Sequence, residues 1–219
     1  SYTEQEENLF DFGQSKDVLL LDVINAINNA KNDEKIKGIS IEADNLPAGI
    51  TQVDDIRAAI EDFKKSGKFV YAYGNNMSQK SYYLASVADK VYLNPVGMIE
   101  LKGMSTEVTF LKDFAAKYGI GVDVIRHGKF KAAVEPFIRN DISPENKEQL
   151  STLLNDIWGN ISTKIKTSRK LDDATFKTAV DSLYGFMPEL VVKNKLADQL
   201  LQKSEYENLI KKQLKLKSN

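Results

Sequence analysis

Short runs of β-forming residues alternate with segments of helical period in the amino-terminal part of this chain, and that order restricts the fold more than any other feature. Gly38-Ile39-Ser40-Ile41-Glu42-Ala43 alternates as a strand does. Residues 69–74 are rich in β-formers and end in glycine, and residues 90–95 read as a third strand that Pro95 ends. The segments between them have helical spacing. A first helix opens at Asp17, with Leu20, Ile24 and Ile27 on one face, widened by Leu21 and Val23, and the polar stretch 28–37 ends it. A second carries Ile56, Ile60 and Phe63 and closes at Gly67. Residues 75–81 read as a polar loop and 82–88 as a short buried helix. Phe110, Leu111, Phe114 and Ala115 mark a further helix stopped at Gly119, and Val122-Asp123-Val124-Ile125-Arg126 reads as a fourth strand. Strands joined by connections of helical length predict an α/β fold, with a mainly parallel sheet covered by helices. Chemistry in such folds gathers beyond the carboxyl ends of the strands, where the loops 44–49 and 75–81 and the turn 128–131 fall.

From Ser143 onward the pattern is helical. Ser143-Pro144 supplies an N-cap with proline at the first helical position, and Leu150, Leu153, Leu154, Ile157, Ile161 and Ile165 form an apolar stripe suited to a core or an interface. Shorter helices follow, the last opened by a capping box at Ser204-Glu205-Tyr206-Glu207. The 219 residues are therefore expected to form a single domain, with a core over about 17–142 and a helical extension over about 143–219. An acidic polar start and a lysine-rich end are what a piece of a longer protein would show.

Several function classes drop out on residue types. There is no cysteine, so thiolate nucleophiles and cysteine metal sites are excluded, and the single histidine, His127, cannot build a multi-histidine centre. Nothing in the sequence positions an acid for a triad through His127. Net charge is −1 with no long basic block before the tail, so a nucleic-acid footprint is absent. The tail lysines from Lys211 to Lys217 read as the solvated face of a last helix. No apolar run reaches the ~18–20 residues that cross a bilayer. Gly119-Ile120-Gly121 lacks the remainder of a dinucleotide fingerprint and no phosphate loop is present, so no cofactor and no metal is expected. The pairs Asp54-Asp55 and Asp172-Asp173 stand where helices begin, and compensation of the helix dipole accounts for both.

The candidate for chemistry is Lys131. Phe130, Ala132, Ala133 and Val134 surround it in sequence, and an apolar setting strips water from an ammonium and favours the neutral amine, which can act as a general base. A lysine beside apolar neighbours is most often a surface residue with a snorkelling stem, and the residues alone leave both readings open.

The segment Arg126-His127-Gly128-Lys129-Phe130-Lys131-Ala132-Ala133-Val134-Glu135-Pro136-Phe137, continuing through Ile138-Arg139-Asn140-Asp141-Ile142-Ser143-Pro144, resembles one family. So do residues 77–86 and Asp89-Lys90-Val91. The whole, from about Leu19 to Leu214, is similar to the amino-terminal half of the long, two-domain form of signal peptide peptidase A, also called protease IV. The resemblance implies a Clp/crotonase-like spiral of ββα units, a Ser–Lys dyad with Lys131 as its base, and Glu135 and Arg139 fixing the adjoining turn by ion pairing.

Catalytic domains of that family carry their nucleophile in an Ala-Ser-Gly-Gly-Tyr segment. Counting back from Tyr82 puts Gln79 there, and a primary amide is no nucleophile. Ser78 and Ser81 are out of register by about 100° or more on a helix. The oxyanion loop, usually Ser-Pro-Gly-Gly, resembles Leu46-Pro47-Ala48-Gly49, and a later Thr-Gly-Ser-Ile-Gly segment is replaced around Ile99-Glu100-Leu101-Lys102-Gly103.

The expected function is thus the lysine-donating domain of a serine endopeptidase that degrades released signal peptides, with the serine on a separate carboxy-terminal domain. The resemblance also implies a membrane anchor upstream, placement in the bacterial envelope outside the cytoplasmic membrane, and a homo-oligomer, a tetramer in this family. Two alternatives stay open: an inert scaffold of the same fold that mediates assembly, and a crotonase-like acyl-CoA enzyme, to which the 46–49 loop gives little support.

Overall fold

Among the described residues, four strands, all parallel, lie in the order β1-β2-β3-β4. They are β1 (Gly38–Glu42), β2 (Phe69–Met77), β3 (Lys90–Ile99) and β4 (Gln199–Leu200). The computed structural model describes residues 19–44, 46–123 and 132–215. Helix α1 (Leu20–Asn32) precedes β1, α2 (Ile50–Lys64) joins β1 to β2, and α3 (Gln79–Ala85) joins β2 to β3. A long excursion then carries α4 (Lys112–Lys117), a 3-10 turn (Ala132–Val134) and α5 (Glu135–Ile138). The extension follows: α6 (Pro144–Arg169), α7 (Asp173–Asp181), a 3-10 turn (Tyr184–Phe186), α8 (Pro188–Lys193), β4 and α9 (Lys203–Gln213).

Strand alternation sorts the two faces of the sheet. Ile41, Val70, Ala72, Val91 and Leu93 turn to the main core, where Val53, Ile60 and Phe63 of α2 meet them. Burying each such side chain contributes about 1.5–3 kcal/mol. Ile161 and Ile165 of α6, Phe176 and Ala179 of α7, and Val191 of α8 belong to the same cluster, so the extension packs on the sheet domain's own core. The opposite face is aromatic. Tyr73 and Tyr92 meet Tyr206 of α9, with Tyr73 and Tyr206 stacked at 4.9 Å and the Ser40 hydroxyl 2.7 Å from that of Tyr206.

The α/β class, the parallel sheet and the helical extension agree with the sequence, and four local expectations are corrected. Residues 75–81 are not a loop: β2 runs to Met77 and α3 starts at Gln79, because the Asp44 carboxylate accepts the amides of Asn75 and Asn76 and holds this polar end as strand. Pro95 does not end β3. The pairing Gly74↔Leu93 resumes at Asn76↔Met98, so residues 94–97 bulge opposite Asn75, and a bulge tolerates proline. Gly97 is required at that bulge, since a Cβ there would run into the Asn75 carbonyl. Val122 and Asp123 are irregular, while Val124–Arg126 of the expected strand lie outside the described residues; the fourth described strand is Gln199–Leu200. Finally, α9 is capped two residues earlier than expected, with Gln202 donating its amide to Glu205 Oε2 at 2.7 Å.

The α6 cap is as expected. Ser143 Oγ accepts from the Asn146 amide at 3.1 Å, with Pro144 at the first helical position. Its apolar stripe divides: Ile161 and Ile165 are buried, whereas Leu153 is 55% exposed.

Candidate active site at the carboxyl ends of the strands

The loop after β1, the β2–α3 junction and the loop after β3 meet at one end of the sheet. Ala43 N–H bonds the Tyr73 carbonyl at 2.9 Å, and Glu100 N–H bonds that of Met77 at 2.8 Å, so each loop leaves its strand tied to β2. Asp44 grips Asn75 through its backbone and side-chain N–H groups and accepts the Asn76 amide at 2.9 Å. Asn94 extends this network, donating to Asn75 Oδ1 at 2.9 Å and to the Tyr73 hydroxyl at 3.2 Å.

In the 46–49 loop, the amide of Ala48 donates to the Leu46 carbonyl at 2.9 Å and that of Gly49 to Gln52 Oε1 at 2.8 Å. Lys80 holds the loop from α3, donating to the Ala48 carbonyl. An oxyanion hole needs amides aimed outward at developing charge. Here both candidate amides already have acceptors within the chain.

Gln79 is clamped as well. Its Oε1 accepts the amides of Lys102 at 3.1 Å and Gly103 at 3.0 Å, and its Nε2 donates to the Gly103 carbonyl at 3.0 Å. Gly103 adopts φ +82°, the left-handed conformation that lets the loop turn back onto this amide. The neighbouring serines are structural. Ser78 caps α3, accepting the Ser81 amide at 3.1 Å, and Ser81 is 1% exposed with its hydroxyl 2.9 Å from that of Ser78. Among the described residues the site binds its own loops, and Ser78 and Ser81 bond each other rather than a base.

Lys131, with His127 and Phe130, lies outside the described residues. The other two expected site residues separate. Arg139 does ion-pair, but with Asp141, at 3.1 Å. Glu135 makes no such pair among the described residues: it is 1% exposed and accepts the Ser143 amide at 3.2 Å, the Ser143 hydroxyl, and Asn146 Nδ2 at 3.1 Å. The cause is α6, whose first-turn N–H groups lack helical partners and attract an anion. The short helix that follows Lys131 in sequence is thereby bonded to the start of α6.

The two carboxylate pairs also divide. Asp172 is the N-cap of α7, accepting the Thr175 amide at 2.8 Å. Asp54 lies a turn inside α2 and accepts Lys164 Nζ at 2.5 Å and the Tyr83 hydroxyl. Beside it, Arg57 is 1% exposed and reaches α3 and α6 together, an arrangement that sequence reasoning missed. The available signal was its spacing: Val53, Arg57 and Ile60 recur at i, i+4 and i+7, which puts a guanidinium on the apolar stripe.

Hydrogen bonding from Ser143 holds the Glu135 carboxyl below its ordinary value of 4.5. Burial alone would raise Asp54, but the bonds from Lys164 and Tyr83 outweigh it, leaving it below 3.8. For Asp198 the Val91 amide, Arg169 and Lys90 outweigh burial in the same way. Groups depressed on folding stabilise the fold above their unfolded values and lose that contribution as pH falls through the folded ones. Unfolding free energy should therefore fall as pH drops below 4.5, and Glu135→Gln should flatten part of that slope. Urea titrations of both proteins between pH 6 and about 2.5 check this across the window; identical slopes would count against it.

A family model, peptidase family S49, matches residues 62–217. The chain belongs to peptidase family S49. Over 214 residues this S49 chain is 35% identical to Protease 4 of Salmonella typhi, covering 92% of itself and 35% of that protein. It is 39% identical over 151 residues to Protease 4 of Haemophilus influenzae, covering 68% of itself and 25% of the relative. Against the chloroplastic serine protease SPPA of Arabidopsis thaliana it is 37% identical over 131 residues, covering 60% of itself and 19% of the relative. The S49 chain thus spans about a third or less of each of these proteins. Its signal peptide peptidase A resemblance and its α/β class with a parallel sheet stand as the sequence implies.

Proposed function

We propose that this chain is the lysine-donating domain of a Ser–Lys endopeptidase that degrades cleaved signal peptides, its serine carried by a carboxy-terminal domain. Lys131, as the free amine, takes the proton of the serine hydroxyl as the serine oxygen bonds to the scissile carbonyl carbon. It then gives that proton to the departing amine as the C–N bond breaks. Water hydrolyses the acyl-enzyme by the same route. The observation that carries this reading is the occupied site: the amides of Ala48 and Gly49 and the side chain of Gln79 all have partners within the chain, so this domain needs a nucleophile and an oxyanion hole from elsewhere. Apolar peptide segments suit binding as an added strand. The same reading places the protein in the bacterial envelope, anchored upstream to the cytoplasmic membrane and assembled as a homo-oligomer. No helix among the described residues is long and apolar enough to cross a membrane.

An inert scaffold in which Lys131 is a relic would share the occupied site, and the base substitution discussed below separates the two. The split site itself has a direct test. The 219-residue chain should hydrolyse no activated peptide ester above the buffer rate. Turnover that disappears in Ser78→Ala or Ser81→Ala would overturn it.

A further inference from the structure

At the opposite end of the sheet, the amino ends of the strands carry a row of like charges. Lys37 precedes β1, Lys68 precedes β2 and Lys90 opens β3. Gly38 pairs with Phe69, so Lys37 and Lys68 stand side by side, an arrangement that costs stability unless something answers the charge. Lys64, from the end of α2, and Lys215, beyond α9, complete the wall of a cavity of about 620 Å³ in which Asp89 is the acidic residue. Phe69 and Tyr71, their rings 4.7 Å apart, form an apolar part of the same wall together with Leu214.

Among the described residues, acceptors leave much of this charge unanswered. Lys64 is paired with Asp89 at 2.9 Å. Lys90 meets Asp198 at 3.1 Å, but Asp198 is shared with Arg169 at 2.9 Å. Lys68 donates to the carbonyls of Ala30 and Asp33, and Lys37 to that of Glu34; these acceptors fix the ammonium groups without carrying a full charge. Lys215 has no ion pair among the described residues. A chain of net charge −1 therefore concentrates positive potential at one concave site.

We infer that this cavity binds a phosphate-bearing ligand, the lysines holding the phosphate oxygens and the Phe69–Tyr71 wall lying against the apolar part of the ligand. The site is independent of the peptidase reading. Phosphate of this kind could come from a lipid headgroup or from a soluble organic phosphate, and the test separates these sources.

Inorganic pyrophosphate is titrated calorimetrically into the 219-residue chain at constant ionic strength, and the chain is sedimented with phosphatidylglycerol vesicles or with phosphatidylcholine vesicles. Saturable pyrophosphate binding is expected, weakened about tenfold or more in Lys37→Ala/Lys215→Ala. Neither substitution breaks an ion pair described above. The control Lys147→Ala/Lys193→Ala, elsewhere on the surface, should bind as the parent does. Co-sedimentation with the phosphatidylglycerol vesicles alone, lost in the pocket variant, assigns the lipid source; pyrophosphate binding without sedimentation assigns the soluble one. Absence of saturable binding, or equal weakening in both double variants, would overturn the inference.

Discussion

Replacing Lys131 with alanine, in a protein that contains both this chain and the serine-bearing domain, should lower kcat/KM for a peptide ester by a factor of about 10²–10⁴, the range a positioned general base supplies. Without the amine, the serine hydroxyl must lose its proton to water. Lys131→Arg should not rescue, because a guanidinium stays protonated and cannot accept a proton at neutral pH. The parent's kcat/KM should rise with pH as the amine deprotonates, and that limb should vanish in the alanine variant. Near-parental activity in Lys131→Ala would leave the domain a scaffold. Folding of the variant is checked by its circular dichroism and melting temperature, so a loss of activity can be assigned to chemistry.

Arg57→Ala should cost about 3–5 kcal/mol of folding stability, because it strands several buried acceptors and leaves a cavity in the core. The guanidinium donates through Nη1 to the Tyr83 carbonyl at 2.5 Å and Ser86 Oγ at 2.9 Å, and through Nη2 to the Lys164 carbonyl at 3.3 Å and Ser168 Oγ at 2.5 Å. Its Nε lies 3.3 Å from Glu61 Oε1 without hydrogen-bond geometry, which makes Glu61 a charge neighbour rather than an acceptor. Deleting the side chain strands these acceptors and opens a void between α2, α3 and α6. At about 2–4 °C per kcal/mol for a domain of this size, the melting temperature should fall by roughly 10 °C. Arg57→Lys should recover little, because one ammonium cannot span donors aimed at two helices. A loss below about 1 kcal/mol in urea unfolding would show that the network contributes far less than its burial implies.

What the sequence revealed about the fold follows from the range of the forces involved. Strand β1, helix α2 and the Ser143–Pro144 start of α6 rest on local signals, namely alternation, amphipathic spacing and a cap, and they appear where those signals stand. The failures are mostly non-local, the α9 cap, set by Glu205 three residues beyond Gln202, being the exception. Nothing near Pro95 announces that β3 will bulge and resume its pairing with β2, and a strand as short as Gln199–Leu200 is made by its neighbour rather than by its own periodicity. The site divides in the same way. The place of Gln79 could be counted back from Tyr82, whereas the internal acceptors of the Ala48 and Gly49 amides depend on how the 46–49 loop folds back. Glu135 takes its partners from Ser143 and Asn146 at the start of α6, eight and eleven residues on, which the expected ion pairing of the turn did not anticipate.

If Gln79 stands where the proposed reading puts the family's nucleophile, its clamp makes a serine there hard to restore. A serine there would be too short to reach Lys102 and Gly103, so a single substitution would free the loop after β3 before any reactive hydroxyl was in place. The 46–49 loop would still hold its amides turned inward. Recovery would require changes in three segments at once, each unfavourable alone. On the proposed reading such a domain behaves as a ratchet: with its loops closed on position 79, selection can vary what surrounds it far more readily than it can reopen it.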